Sequence, residues 1–201
     1  MRSRILSIAN MLSTLRLVLV PVLVALALQG HSQWFLFVLA GSLISDFLDG
    51  YLARLMRQTS DFGAKLDSWG DALTYAVMIF GLYEIWPMTF DYQLGFLISA
   101  TLSFVIPLLL ALIKFGEYPS YHTVGAKIAA VLIAPAYYLL ILADADMLFR
   151  AVIIFYLLVA LEEIAITFLL KSPITDVSSV WQLIGEKSIS SDRSKTGSGM
   201  K

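Results

Sequence analysis

Residues 34–54 read WFLFVLAGSLISDFLDGYLAR: an aromatic start, a long apolar run, then Asp46 and Asp49 before a closing arginine. At 1.5 Å per residue such a helix covers about 30 Å, the thickness of a bilayer's hydrocarbon core. Stretches of the same character lie near 11–28, 34–53, 66–86, 92–113, 124–143 and 147–170. Composition agrees: of 201 residues 59% are hydrophobic and 14% charged, and the mean hydropathy is +0.80, far too apolar for a soluble domain of this size. The expectation is an all-α membrane protein over residues 1–170, with six transmembrane helices and a short interfacial helix at each end. The run after Met1-Arg2-Ser3-Arg4 has no small-residue cleavage site behind it and reads as a retained first helix. Residues 171–187 place Val177, Val180, Trp181 and Ile184 at helical spacing, which predicts a cytoplasmic surface helix. Residues 188–201 lack apolar periodicity and read as a disordered tail.

Charge sets the orientation. The connections near 29–33, 87–91 and 144–146 carry no Lys or Arg, whereas 54–65 carries Arg54, Arg57 and Lys65, and 114–127 carries Lys114 and Lys127. The positive-inside bias therefore assigns the basic connections and both termini to the cytoplasm, with Arg150 as the exception. Trp34 and Trp86 then fall at the outer interface. A net charge of −1 excludes a nucleic-acid partner from the expectation, and the lack of cysteine excludes thiolate metal sites and cysteine nucleophiles. With only His31 and His122 available, any metal is expected on oxygen ligands.

Those ligands have obvious candidates. Asp46 and Asp49 are three apart, Asp67 and Asp71 four apart, so each pair lies on one helical face. Counted from Trp34, Asp46 and Asp49 lie about 18 and 22 Å down; counted from Trp86, Asp71 and Asp67 lie about 22 and 28 Å down. The pairs are expected to meet across an antiparallel hairpin, in the cytoplasmic third of the membrane. Small residues, Gly50 and Ala53 beside the first pair and Gly63 and Gly70 beside the second, let a helix or ligand approach closely. Four carboxylates in a low dielectric cannot all stay ionised alone, and two divalent cations would cancel them. Mg2+ or Mn2+ suits such a site, with Ca2+ as an inhibitor. The alternative is that the acids form interfacial ion pairs with Arg54, Arg57 or Lys65.

Read as one string, Asp46-x2-Asp49-Gly50-x2-Ala53-Arg54-x8-Gly63-x3-Asp67-x3-Asp71 resembles the signature of the CDP-alcohol phosphotransferase (phosphatidyltransferase) family. Asn10-Met11-Leu12-Ser13-Thr14-Leu15-Arg16, followed by Pro21, is similar to that family's entry into its first helix, with Ser13 where Thr is usual. The resemblance implies that Asp46, Asp49 and Asp67 hold a first metal ion, and that Asp71 helps hold a second and acts as general base. It further implies that Gly50, Ala53, Arg54 and Gly63, with Asp49 and Asp67, line the CDP site. The implied activity is transfer of a phosphatidyl group from a CDP-linked lipid, such as CDP-diacylglycerol, to a small alcohol with release of CMP. The implied setting is a homodimer in a prokaryotic cell membrane with its active site facing the cytoplasm.

The acceptor is harder to read. Phosphatidylglycerophosphate synthases commonly carry Pro and Lys where this chain has Ser68 and Ala72. Lys127 and Lys114 can attract one phosphate, so the expectation is a polyol phosphate such as glycerol 3-phosphate, with inositol phosphate, serine or another alcohol as alternatives. Arg16, about one and a half turns into the first span, reads most simply as snorkelling to the interface. Asn10, Ser13 and Thr14 read as helix-start caps, and His122 as a solvated loop residue. Glu162 and Glu163 are adjacent and cannot face the same way; one is expected to pair with Lys127 or Lys171. Two rival classes remain: a cation-coupled transporter with the acids as its ion site, and an inactive metal-binding membrane protein. A transporter site is expected nearer the midplane.

Overall fold

The computed structural model describes residues 8–56, 61–116 and 123–170, with side chains of 8–13, 47, 49–56 and 61–68 left aside. Among the described residues every regular element is a helix: α1 (Ile8–Leu28), α2 (Ser32–Met56), α3 (Asp61–Ile85), α4 (Pro87–Phe115), α5 (Val124–Ala143) and α6 (Asp146–Leu169). The expected surface helix over 171–187, the tail, and the N-terminal interfacial segment lie outside them.

The ends of the helices follow local chemistry. After Leu28 the chain turns through Gly30, whose φ of 69° places it in the left-handed region that glycine enters without steric cost. His31 N–H then reaches back to the carbonyl of Leu26 at 3.0 Å, closing the end of α1. At the start of α5 the buried Thr123 is the N-cap, its Oγ1 accepting from the amide of Ala126 at 3.1 Å.

Chain contacts divide the structure into two compact units, Met1–Leu94 and Gly95–Lys201. In the first, α1 packs along both α2 and α3. Its buried positions, Arg16, Leu23 and Ala27, recur at helical spacing. They are met by Phe35, Leu39, Ser42 and Ser45 on α2 and by Thr74, Val77, Met78 and Leu82 on α3, all buried. The hydroxyls among them are largely absorbed by their own helices: Ser45 Oγ donates to the carbonyl of Ser42 and Thr74 Oγ1 to that of Gly70, each at 2.7 Å.

Near the start of α2, Phe35 lies against Gly81 of α3 so closely that a Cβ added at Gly81 would overlap the Cζ end of its ring. The same phenyl ring meets Trp86 edge-on at 6.3 Å. The beginning of α2 thus adjoins the end of α3, as an antiparallel pair requires.

In the second unit α5 packs on α6. Ala129, Ala136, Tyr137 and Leu140 form the buried stripe of α5, and Phe149, Val152, Ile153, Val159, Ala160 and Ile166 that of α6. By length and composition α4, α5 and α6 each suffice to cross a membrane, and only 22%, 22% and 33% of their apolar windows is buried. Large apolar side chains that remain outside, such as Leu102, Leu109, Val131, Leu142, Ile154 and Leu161, call for lipid as their solvent. The chain is an integral membrane protein, with a further, shorter apolar helix over Thr14–Leu28.

Candidate active site

Asp46 on α2 and Asp71 on α3 are brought together by a third helix. Arg16 of α1, 1% exposed, makes an ion pair through Nη2 with Asp46 Oδ1 and donates from Nη1 to Asp71 Oδ1 at 2.6 Å. Their register is consistent with the packing at the opposite end. Asp46 stands about 16 Å along α2 from Phe35, and Asp71 about 15 Å back along α3 from Gly81, at 1.5 Å per residue.

This corrects the reading of Arg16 as a snorkelling side chain. Burial of a guanidinium costs several kcal/mol unless anions and hydrogen bonds replace its water, and the two aspartates supply both. The slot itself is cut by Gly70, where a Cβ would stand 3.1 Å from Arg16 Nη1 and 3.5 Å from its Cδ and Cζ. Gly70 therefore makes room for a neighbouring side chain rather than for a helix backbone.

The signal for this contact was available in the sequence. Arg16 lies about 18 Å from Leu28 along α1, and Asp46 about 18 Å from Trp34 along α2. An arginine and an aspartate at matched distances from the connected ends of two consecutive apolar helices are natural partners.

Both carboxylates keep an open side: the side chain of Asp46 is 38% exposed and that of Asp71 47%. They converge on one cation position while leaving oxygen available to a second ligand. Ser42 adds a polar element, since its buried Oγ has no hydrogen-bond partner among the described residues one turn before Asp46. An all-oxygen donor set around a cation position fits a hard divalent ion.

Asp49 follows Asp46 by three residues on α2, and Asp67 precedes Asp71 by four on α3, but their side chains lie outside the described residues. The same holds for Gly50, Ala53, Arg54 and Gly63, and His122 lies outside altogether. Among the described residues no three carboxylate or imidazole side chains gather into one metal-binding group.

The two lysines differ in their surroundings. Lys127 is exposed in the first turn of α5. Lys114, in the last turn of α4, donates from Nζ to the carbonyls of Thr167, Phe168 and Leu170 at 2.8, 3.2 and 2.9 Å. It thereby caps the C-terminus of α6, where a cation meets the helix dipole and otherwise unpaired carbonyls. Glu162 plays the converse part. Its Oε2 would lie 3.5 Å from a Cβ at Gly125, in the first turn of α5, where an anion is favoured. Arg150, the exception to the expected charge asymmetry, stacks over the Phe96 ring at 5.1 Å.

Comparison with known proteins covers the same elements. Residues 6–172 match the family model of the CDP-alcohol phosphatidyltransferases. A cardiolipin synthase (CMP-forming) of Streptomyces coelicolor is 34% identical over 147 residues, 70% of this chain and 67% of that protein. A putative cardiolipin synthase of Mycobacterium tuberculosis is 40% identical over 92 residues, 44% of each chain, so the match spans less than half of that relative's length. A CDP-diacylglycerol–glycerol-3-phosphate 3-phosphatidyltransferase of Cereibacter sphaeroides is 46% identical over 71 residues, 32% of this chain and 31% of that protein. No solved structure matches the chain. Because the matched region begins just before α1 and ends just after α6, it takes in every helix described above, and the chain belongs to the CDP-alcohol phosphatidyltransferase family.

Proposed function

We propose that the protein transfers a phosphatidyl group from CDP-diacylglycerol to a hydroxyl of a polyol phosphate, glycerol 3-phosphate first among them, and releases CMP. The observation that carries this reading is the meeting of Asp46 and Asp71 at one cation position, within an intact eight-residue signature. Asp46, Asp49 and Asp67 would hold one divalent ion, and Asp71 would help hold a second. When bound, Mg2+ or Mn2+ supplies positive charge against the pyrophosphate and against the charge that grows on departing CMP. Asp71 then accepts the proton of the acceptor hydroxyl. The acceptor oxygen bonds to the phosphatidyl phosphorus as that phosphorus parts from CMP, which leaves with the bonding electron pair. Gly50, Ala53 and Gly63 leave room for the nucleotide, Arg54 pairs with its phosphate, and Lys127 meets the phosphate of the acceptor.

In this reading all six helices span the bilayer, the acids open toward the cytoplasm, and the protein is a homodimer. α2 and α3, at 25 residues each, are long enough to cross a core about 30 Å thick. A site in the cytoplasmic third lets the polar substrates arrive through water while acyl chains stay in lipid.

A second reading keeps the chemistry and changes the acceptor: the glycerol phosphate belongs to a lipid headgroup, as in phosphatidylglycerol. Two observations favour it. Lys114 is engaged by three carbonyls at the end of α6, and relatives named cardiolipin synthase cover more of the chain than the glycerol-3-phosphate enzymes. The test is a panel of acceptors offered to purified protein with radiolabelled CDP-diacylglycerol and Mg2+ or Mn2+. Glycerol 3-phosphate as best acceptor supports the first reading, and phosphatidylglycerol the second. Use of unphosphorylated alcohols alone sinks both.

A further inference from the structure

Arg16 belongs to neither the nucleotide pocket that the signature implies nor the acceptor site proposed at Lys127, yet it pairs with both described acids of the signature. Both of its terminal nitrogens are committed, one to Oδ1 of Asp46 and the other to Oδ1 of Asp71. The guanidinium is sealed in, at 1% exposure, with its flank against Gly70. A divalent ion that draws on the same two carboxylates meets a fixed positive charge already seated between them. Like charges at that separation repel.

We propose that Arg16 is the site's resident cation: in the metal-free protein it holds Asp46 and Asp71 together, and divalent ions gain the Oδ1 atoms of these carboxylates only by displacing it. The inference rests on the divalent-metal part of the proposed function. Arg16 is then a positioning residue with two consequences. It keeps two facing acids from repelling one another before metal arrives, so the α2 and α3 ends of the site stay assembled. It also weakens the intrinsic metal affinity, because each binding event must break the two contacts that Arg16 makes. The competing possibility is that Arg16 orients the carboxylates for the metal and stays in place, which changes the sign of its effect on affinity.

The test uses full-length protein in detergent or lipid discs. Mn2+ affinity is measured by calorimetry or by the electron paramagnetic resonance of free Mn2+, and thermal unfolding is followed in chelator and in saturating Mn2+. Arg16→Gln is expected to lower Tm in chelator, to bind Mn2+ at least tenfold more tightly than wild type, and to show the larger Mn2+-induced rise in Tm. Gly70→Ala, which presses on the guanidinium without removing a charge, is expected to shift both quantities in the same directions by less. Should Arg16→Gln fail to fold without metal, wild type itself decides. In arginine-labelled protein, the side-chain resonance assigned to Arg16 through its loss in Arg16→Lys is expected to move on titration with Mg2+. An Arg16 resonance unmoved at saturating Mg2+, or unchanged or weaker Mn2+ affinity in folded Arg16→Gln, overturns this inference and leaves the metal reading standing. No metal binding by wild type or any variant overturns the metal reading itself, and this inference with it.

Discussion

Arg16 Nη1 donates to Asp71 Oδ1 at 2.6 Å across 55 residues of sequence, and so ties the helix that opens the chain to the last aspartate of the signature. The base proposed for the acceptor hydroxyl is thus anchored from outside its own helix. Substitutions at this pair act on charge balance and on packing together, so activity needs to be read beside stability.

Asp46→Asn, Asp49→Asn, Asp67→Asn and Asp71→Asn are each expected to reduce phosphatidyl transfer by two or more orders of magnitude, as for removal of metal ligands or a general base, roughly 10²–10⁴-fold for the latter. Chelator is expected to abolish the wild-type reaction and Mg2+ or Mn2+ to restore it. Transfer at full rate in chelator would falsify the metal assignment.

Asp71→Asn and Asp67→Asn are expected to part in binding. The first removes mainly the base and keeps most of the affinity for CDP in Mn2+, whereas the second removes a first-ion ligand and loses it. Calorimetric titration of CDP decides, and equal losses count against the division of roles. Because Asp71→Asn leaves Arg16 with one charged partner fewer among those described, it is also expected to lower Tm.

Gly81→Ala is expected to destabilise the first unit by about 1–3 kcal/mol through overpacking, since its new methyl must displace the buried Phe35 ring. Combining it with Phe35→Leu should recover part of the loss, a coupling that a double-mutant cycle in Tm or denaturant midpoint can measure. Additive losses would show that the ring and the glycine do not share space.

Lys127→Ala is expected to raise the acceptor KM about tenfold while leaving the KM for CDP-diacylglycerol unchanged, equivalent to about 1.4 kcal/mol of lost phosphate attraction. Lys114→Ala should instead lower stability by about 1–2 kcal/mol, because three carbonyls at the end of α6 lose their donor. Should Lys114→Ala raise acceptor KM as much as Lys127→Ala without a change in Tm, the capping role is secondary to acceptor binding.

The sequence by itself determined the six helices. The stretches read as 124–143 and 147–170 correspond to helices Val124–Ala143 and Asp146–Leu169. Others differ by a few residues; α3 begins at Asp61 rather than near 66, because polar residues before the apolar run continue the helix. Apolar length and helix capping are local properties, so they are legible one segment at a time. The signature was legible for the same reason, being a fixed spacing within two adjacent helices.

The destinations of the long cationic side chains were decided only by the tertiary structure. Arg16 could reach the interface or an acid on another helix, and Lys114 could face a ligand or a helix end; local sequence scores these outcomes alike. What separates them is whether anions or unpaired carbonyls from residues some fifty positions away arrive within about 3 Å, where a charge-assisted hydrogen bond forms and can offset the loss of water. That depends on how α1 seats against α2 and α3, and α4 against the end of α6, where packing at Gly70 and carbonyl geometry at Leu170 select one partner among several.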